Sequence, residues 1–466
     1  MTLEKWLKEW VKENLRKGLF VWYDPLASFE AVVDKVVAKD AKLLKFGGSY
    51  LALRFKLEDE DPEFKQEWVV YIPEEEMDFL KDWEFIGRKQ VLSLPEILLA
   101  KGVSLSRELM NALAHNSATL AKHWNRYIGK SEPSVELIQD ALLATAFNLL
   151  KWDEGKAILK FTINPNEFAG QLQNAEVYQF WLEKLKALVE VGDENPQKLR
   201  DKLLKALLFG ELVYMGEQSK DIFTLLPKFE ARYRCCEILK TWRSDARFKD
   251  AYLSAVEEVS SSINLKEHLQ LNEALLEIET FPEIDDAILD ELLSSINLEN
   301  YEEKVATIQR IAEKRSKTFW SQNRIIKYWE PLLIAAQLFQ GCNKAMKTCE
   351  HLDKDELTER YVEKWYQLDR RALELSSWEL GREYPLVQPA QIAHTAYLDK
   401  VNRKLMETVK KEGWTQNHTS FWSYVARMEK PVAVFFTDAF RYDLAKLLLE
   451  KLEVGVEEAQ VRWLYG

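Results

Sequence analysis

The apolar residues of the N-terminal segment recur at the three- and four-residue spacing of a helix that buries one side. Gly18 follows where helices commonly end in a left-handed residue, so the pattern predicts a helix over residues 1–18. The residues that set the spacing are Leu3, Trp6, Leu7, Trp10, Val11 and Leu15.

A short apolar run, Leu19–Tyr23, follows this helix and ends at Asp24-Pro25. Five consecutive apolar residues predict a strand that is buried on both faces. Further strands are predicted at Leu51–Leu57 and Trp68–Ile72, each bounded by acidic or proline-containing turns. Residues 1–100 are therefore expected to form a small α/β domain. A helical stretch is predicted after the first strand from Phe29, Val32, Val33, Val36 and Val37, which lie on one side.

Asp24-Pro25 stands at the carboxyl end of the first predicted strand, where open α/β sheets tend to place their sites. The same two residues fit the start of a helix, with Asp24 as the N-cap and Pro25 at the first helical position. We favour the cap as the simpler interpretation.

Residues 101–430 read as one helix after another, which predicts a long multi-helical scaffold region. Proline-containing breaks interrupt the pattern at 132–134, 164–166 and 192–196 and around Pro282. The sequence SSINL occurs twice, at Ser261–Leu265 and Ser294–Leu298, and the 33-residue separation is typical of helical repeats. Because the flanking residues diverge, the region is interpreted as a helical array without a defined repeat family.

The pattern changes again near residue 431, where Pro431–Thr437 is uncharged and rich in β-branched and aromatic residues. Such a run predicts a strand buried on both faces. Asp438 ends the strand, and the apolar spacing from 439 to 449 predicts a helix. At this junction Asp438 fits either a helix N-cap or a metal- or phosphate-binding position in the crevice of an open sheet.

Composition supports a predominantly helical protein. The 466 residues include only 16 Gly and 13 Pro, about half of their usual combined share of about 12%. The formal net charge of −12 disfavours a broadly basic nucleic-acid-binding protein, although a local basic face is still compatible with it. No apolar run reaches the length of a membrane span, and the charged N-terminus is unlike a signal peptide, so we expect a cytoplasmic protein without membrane contact.

The cysteine pattern predicts buried thiols rather than disulfides or a zinc site. Only four cysteines are present, and two of them, Cys235 and Cys236, are adjacent. Cys342, Cys349 and His351 are close in sequence, but their spacing matches no standard zinc knuckle.

One helical segment combines basic and aromatic residues in the way that nucleic-acid-binding surfaces do. Its cations would pair with phosphates while its aromatic rings stack on bases. On a helix, however, the aromatic residues are equally explained as core and the cations as the solvated face. The candidate nucleic-acid-binding residues are Lys314, Arg315, Lys317, Arg324 and Lys327, interleaved with Phe319, Trp320, Tyr328 and Trp329.

The stretch VAVFFTDAFRYDLAKLLLEKL, which begins at Val432, resembles the first motif of PglZ domains, a branch of the alkaline-phosphatase superfamily. The likeness continues discontinuously in segments that match the larger PglZ proteins. Its specific part is the motif at 437–445, and the helical middle contributes little. The supporting segments are Phe20–Pro25, Arg54–Glu58, Trp68–Pro73 and Phe421–Val425.

The resemblance implies a metal-dependent phosphatase- or phosphodiesterase-like domain from a BREX bacteriophage-defence system. Asp438 matches the family's metal-ligand aspartate, and the implied cofactor is a divalent metal, zinc or manganese. Arg441 and Asp443 match other polar positions of the motif, and no catalytic role is assigned to them. The implied partners are other BREX proteins, including a small BrxB-like component, with DNA contact through the local basic face as an alternative.

The family's hydroxyl nucleophile and its remaining Asp and His ligands lie downstream of the first motif. Only 23 residues follow Asp443, and none of them is a histidine. We therefore expect a chain cut inside the PglZ domain, with no catalytic residues of its own, no stably bound metal and no activity alone. The predicted fold is mixed and predominantly α: an α/β domain at 1–100, a helical scaffold at 101–430, and the start of an alkaline-phosphatase-like α/β domain at 431–466.

Overall fold

The structure, a computed structural model, combines a small parallel sheet with many helices, which confirms the predicted mixed, predominantly α fold. Its chain contacts define two compact units, Met1–Tyr214 with Lys220–Ile263, and Met215–Ser219 with Asn264–Gly466. The domain boundaries at 100 and 430 stay predictions. The described residues are 2–15, 18–37, 41–192, 195–215, 232–263, 265–269, 272–413, 426–427 and 441–451.

A four-stranded parallel sheet lies at the centre of the N-terminal part of the first unit. Its spatial order is β2-β3-β1-β4, so β1 and β3 occupy the middle. Every residue of these two strands is buried, as their continuous apolar runs predict. The strands are β1 (Leu19–Tyr23), β2 (Lys42–Lys45), β3 (Trp68–Ile72) and β4 (Arg88–Val91).

Five α-helices of the described residues accompany the sheet, and the first begins close to its predicted start but ends at Asn14, four residues before its predicted end. Thr2 caps it, and Gly18 has the positive φ of 88° that the sequence suggested. Gly87, which precedes β4, packs closely on the start of β1. A Cβ atom at this position would lie 2.2 Å from the carbonyl oxygen of Leu19. The helices are α1 (Leu3–Asn14), α2 (Val33–Val36), α3 (Tyr50–Glu60), α4 (Lys81–Ile86) and α5 (Leu94–Ala100).

The predicted strand at Leu51–Leu57 is wrong, because this segment forms most of α3. Its alternating apolar residues suggested a strand, but a helix separates them onto different faces. Leu53 and Leu57 pack into the core with the sheet, whereas Leu51 and Phe55 are exposed. The structure adds two short strands, β2 and β4, which are too polar to have been predicted.

The remaining described residues of the first unit form helices and their connections, as predicted. The predicted breaks coincide with helix ends: Ser134 caps a helix, and Pro165 occupies the first position of another. These helices are Arg107–Lys122, Trp124–Tyr127, Val135–Ala146, Glu154–Ile163, Pro165–Asn174, Tyr178–Leu185, Pro196–Met215, Arg232–Ser244 and Lys249–Ser262.

The second unit is built around the helix Trp329–Thr348, which packs against Tyr384–Glu412 and Tyr301–Arg315. A five-residue π-helix, Tyr361–Trp365, joins two of its helices. The remaining α-helices that the structure describes in this unit are Leu265–His268, Pro282–Ser295, Phe319–Gln322, Lys354–Arg360, Tyr366–Ser376 and Tyr442–Lys451.

The two SSINL copies have one structural role in common. Each supplies the residues that end a helix, and its isoleucine, Ile263 or Ile296, has extended backbone after the last helical turn. The helices that they end, Lys249–Ser262 and Pro282–Ser295, belong to different units, so the shared sequence marks a common way of ending a helix.

All four cysteines are buried free thiols, as predicted. Burial raises the pKa of Cys235 and of Cys342 to about 12, which keeps both protonated at neutral pH. Among the residues the structure describes, no helix combines the length and the apolar character that crossing a bilayer requires.

Candidate functional site

The predicted metal ligand Asp438 lies outside the described residues, but the end of its motif is described. Arg441 is paired with Asp443 through two hydrogen bonds, of 3.0 Å from Nε and 2.6 Å to the second carboxylate oxygen. The Asp443 carboxylate is buried, whereas Arg441 is half-exposed. Because Asp443 is already bound by this guanidinium, the described residues do not offer it as a metal ligand.

The helix Tyr442–Lys451, which starts at this pair, is anchored on the helical region of the second unit. The Tyr442 ring lies 6.2 Å from that of Tyr361 and 5.6 Å from that of Tyr366, measured between centroids. Its hydroxyl donates to the carbonyl of Val362 at 3.4 Å. At the other end of the helix, Arg370 binds both carboxylate oxygens of Glu450, at 2.8 and 3.0 Å.

Tyr361 of this anchor also belongs to a cluster around the buried Asp369, the Asp369 cluster, whose other two members are half-buried. The Tyr361 hydroxyl donates to one carboxylate oxygen at 2.7 Å, and Nε2 of His394 lies 2.9 Å from the other. Burial and the adjacent Asp369 carboxylate raise the pKa of Tyr361, so its hydroxyl stays a donor. Tyr361 begins the π-helix, a geometry that often occurs at functional positions.

The Asp369 carboxylate orients the side chains of Tyr361 and His394. Within the described ranges, no three His, Cys, Asp or Glu side chains are arranged to hold a metal ion. Because the Tyr361 ring of this cluster also lies 6.2 Å from that of Tyr442, the cluster is suited to positioning the helix Tyr442–Lys451.

The structure removes Arg315 from the predicted nucleic-acid-binding face. Its side chain is 0% exposed and its guanidinium binds both oxygens of Asp285, at 2.7 and 2.8 Å. It also donates to the carbonyl of Ile278 at 2.7 Å, while Trp329 donates to Asp285 at 2.6 Å. A phosphate has no access to this cation, whose role is internal.

The neighbouring residues of the basic segment are also largely engaged. Lys314 forms an ion pair with Glu277, and Lys317 lies 3.4 Å from Glu313. Phe319, Trp320 and Trp329 are buried, and the Trp320 indole donates to the Glu279 carbonyl at 2.9 Å. These three aromatic residues are therefore core, the alternative that helical spacing left open, whereas Tyr328 is half-buried and its hydroxyl donates to Asp286 at 3.1 Å.

Arg324 and Lys327 are the part of the predicted face that opens to solvent. Both are exposed and line a cleft of about 700 Å³ together with Gln322 and the half-buried Trp378. Arg324 has a left-handed backbone, with φ of 58°. We call these four residues the basic cleft, and no ion pair of either cation occurs within the described residues.

The Asp24 side chain at the carboxyl end of β1 is fully buried. Its Oδ2 accepts hydrogen bonds from the Phe29 backbone N–H at 2.8 Å and from the Tyr71 hydroxyl at 2.7 Å. Asp24 thus fixes the turn after β1, but it is not the predicted helix cap, because α2 begins only at Val33. Burial raises the pKa of Asp24, and the two donors oppose that shift.

Sequence reasoning missed the anchor of the last described helix. Tyr361, Asp369, His394 and Tyr442 are separated by as many as 81 positions, and no periodicity links them. The basic-aromatic signal located the basic cleft but not Trp378, which lies more than 50 positions beyond Lys327.

The chain is similar to an alkaline phosphatase-like protein. This relative is the alkaline phosphatase-like protein BrxZ of Escherichia coli O9:H4 (strain HS), which is 19% identical over 483 aligned residues. The alignment covers 92% of this chain and 54% of BrxZ, so the chain spans about half the length of its curated relative. No protein-family model matches the chain, and no solved structure matches it. The likeness supports the alkaline-phosphatase-like family that the motif at 437–445 predicts.

Proposed function

We propose that this chain is the N-terminal and scaffold part of a PglZ-type BREX phage-defence protein. In that role it positions a phosphatase- or phosphodiesterase-like domain that begins near residue 431, and it docks other BREX components in the cytoplasm. The likeness to BrxZ supports the family. The observation that carries the positioning role is the anchoring of Tyr442 and Glu450 on the helical region.

The proposed hydrolase chemistry belongs to the whole protein. We propose that Asp438 contributes a ligand to zinc or manganese and that the other ligands and the nucleophile come from parts of the protein outside this chain. A divalent metal in such a site polarises a phosphoryl oxygen. The described residues contribute the positioning of the helix that follows Asp438, and the chain alone is expected to be inactive.

The positioning role is tested by Tyr442→Ala in the whole protein. The change removes two ring contacts, worth about 1–3 kcal/mol together, so backbone hydrogen exchange in 442–451 should accelerate. Hydrolysis of a chromogenic phosphodiester with added zinc or manganese should fall. Tyr384→Ala is the matched control, since Tyr384 is a partly exposed tyrosine at the start of another helix. Unchanged exchange and unchanged hydrolysis in Tyr442→Ala would contradict the positioning role.

The docking role is tested by mixing the chain with each protein encoded in the same operon. Size-exclusion chromatography should show co-elution with at least one of them, the small BrxB-like component being the first candidate. If every component elutes separately from the chain, the docking role is lost.

A second candidate function, nucleic-acid binding, is favoured by the basic cleft alone. Arg324→Glu with Lys327→Glu should weaken binding of a labelled single-stranded oligonucleotide and reduce its salt dependence, because phosphate contacts release counterions. Lys347→Glu is the matched control, an exposed lysine on the helix that follows the cleft. If the affinity for the oligonucleotide changes neither with salt concentration nor with the two substitutions, this candidate function is eliminated.

A further inference from the structure

Helix α3 has two apolar faces, and the fold uses only one of them. Leu53 and Leu57 lie one helical turn apart and are buried against the sheet. Leu51 and Phe55 form an equivalent pair on another face, where they are 79% and 72% exposed. The stability of the sheet domain does not account for this second pair.

The segment that packs beside α3 exposes apolar side chains as well. Phe79 is 65% exposed and Phe85 is 89% exposed. Arg54 of α3 joins the two segments, because it donates to the Phe79 carbonyl at 3.1 Å and to both oxygens of Asp82, at 2.8 and 2.6 Å. The Tyr50 ring also stacks on Phe79, with centroids 5.6 Å apart. We call Leu51, Phe55, Phe79 and Phe85 the apolar face.

Single exposed apolar residues are ordinary, but a group with three phenylalanines on adjoining segments is typical of an interaction surface. Aromatic side chains supply much of the binding energy at the centres of protein interfaces. The apolar face is therefore expected to be covered when the protein is in its working assembly.

The charges around the apolar face indicate what covers it. Residues 50–61 and 74–84 together contain ten acidic and three basic residues. Asp59, one helical turn after Phe55, and Glu75, four residues before Phe79, are exposed and form no ion pair within the described part of the chain. Nucleic acid would be repelled, and a second copy of the chain would bring two acidic rims together. A partner that presents apolar residues flanked by basic residues would cover the apolar face and pair with the acidic residues beside it.

We propose that the apolar face docks a basic amphipathic helix of a partner protein, with apolar side chains against Leu51, Phe55, Phe79 and Phe85 and Lys or Arg residues opposite Asp59 and Glu75. The proposal rests on the docking role given above and assigns it to this surface. The partner is the component of the same defence system that presents such a helix.

The test uses the full chain and the operon proteins, added singly, with binding measured by calorimetry. Phe55→Ser with Phe85→Ser should weaken the complex at least tenfold, and Asp59→Lys with Glu75→Lys should weaken it and reduce its sensitivity to salt. Leu298→Ser with Leu373→Ser is the matched control, since both leucines are exposed in the second unit. The substituted side chains are exposed, so the thermal midpoint of every variant should stay close to that of the parent.

Each outcome bears on the proposal in a distinct way. If a complex forms and its affinity is unchanged by the substitutions in the apolar face, this proposal is overturned, but the docking role is retained. Failure of every operon protein to bind overturns both. Self-association of the chain that disappears in Phe55→Ser with Phe85→Ser, without any partner complex, would identify a second copy as the occupant and overturn the assigned chemistry.

Discussion

The guanidinium of Arg315 is enclosed by Asp285 and by backbone carbonyls from 275 to 278. Arg315→Met would leave the Asp285 carboxylate buried with the Trp329 indole as its remaining hydrogen-bond donor among those described. Removing one partner of such a pair costs about 3–5 kcal/mol. We expect a loss of that size in the free energy of unfolding, measured by urea denaturation.

Arg310→Met is the control for this experiment, because Arg310, five residues before Arg315 on the same helix, forms an exposed ion pair with Glu273. It should change the midpoint very little. Similar losses in both variants would mean that the burial of Arg315 carries no special weight.

Tyr71 and Asp24 predict a pH-dependent effect on the sheet domain. Burial raises the folded-state pKa of Asp24 above its unfolded value, so ionisation of Asp24 lowers stability as the pH rises. The Tyr71 hydroxyl reduces this cost by donating to the carboxylate. Tyr71→Phe should therefore cost about 1–3 kcal/mol at pH 7 and progressively less as the pH falls and Asp24 takes up a proton.

Urea unfolding between pH 4 and pH 8 measures the Tyr71→Phe effect. In an Asp24→Asn background the same substitution should lose its dependence on pH, since no ionisable carboxyl is left at that position. A cost that is equal at both ends of the pH range in the Asp24 protein would refute the assignment.

At the scale of elements, α3 gives a direct test of helix against strand. In a strand, residues 51, 53, 55 and 57 would share one face, and all four would be buried or exposed together. In the helix Leu53 is buried and Leu51 exposed. Leu53→Ala should cost about 2–5 kcal/mol, whereas Leu51→Ala should stay within about 0.5 kcal/mol of the parent. Equal costs, measured by thermal unfolding, would favour the strand.

The same helix explains where pattern reading succeeds and fails. β1 and β3 are continuous apolar runs buried on both faces, so local sequence determines them almost alone. The stretch LALRFKL alternates like a strand because two pairs of apolar residues interleave in it. Leu53 and Leu57 pack into the core, whereas Leu51 and Phe55 are exposed. The periodicity shows which positions are apolar, but it does not predict whether an apolar side chain packs into the core or stays exposed.

The candidate site divides along similar lines. The basic residues of one short segment predicted an exposed basic face, and two of them, Arg324 and Lys327, do line a cleft. Arg315 is buried because it binds Asp285, which lies 30 residues earlier in the sequence. Tyr442 is anchored by contact with a π-helix about 80 residues earlier. These contacts depend on tertiary packing, which a single sequence without repeats does not specify.

At the scale of the whole molecule, the first unit is assembled from two stretches of chain, 1–214 and 220–263. The second stretch contributes the helix Arg232–Ser244, which buries Leu239 and Trp242. Arg243 of this helix binds both oxygens of Glu211, at 2.9 and 3.2 Å, and both side chains are almost fully buried. The helix Arg232–Ser244 is therefore part of the core of this unit.

A fragment of residues 1–263 should accordingly be more stable than one of residues 1–214. The shorter fragment leaves the buried Glu211 carboxylate without Arg243, which costs about 3–5 kcal/mol before any apolar surface is counted. For a unit of this size that loss lowers the thermal midpoint by at least about 6 °C. Arg243→Met in the longer fragment should fall between the two, since it removes the ion pair and keeps the apolar contacts of Leu239 and Trp242. Equal midpoints for the two fragments, measured by circular dichroism, would show that residues 220–263 do not belong to this core.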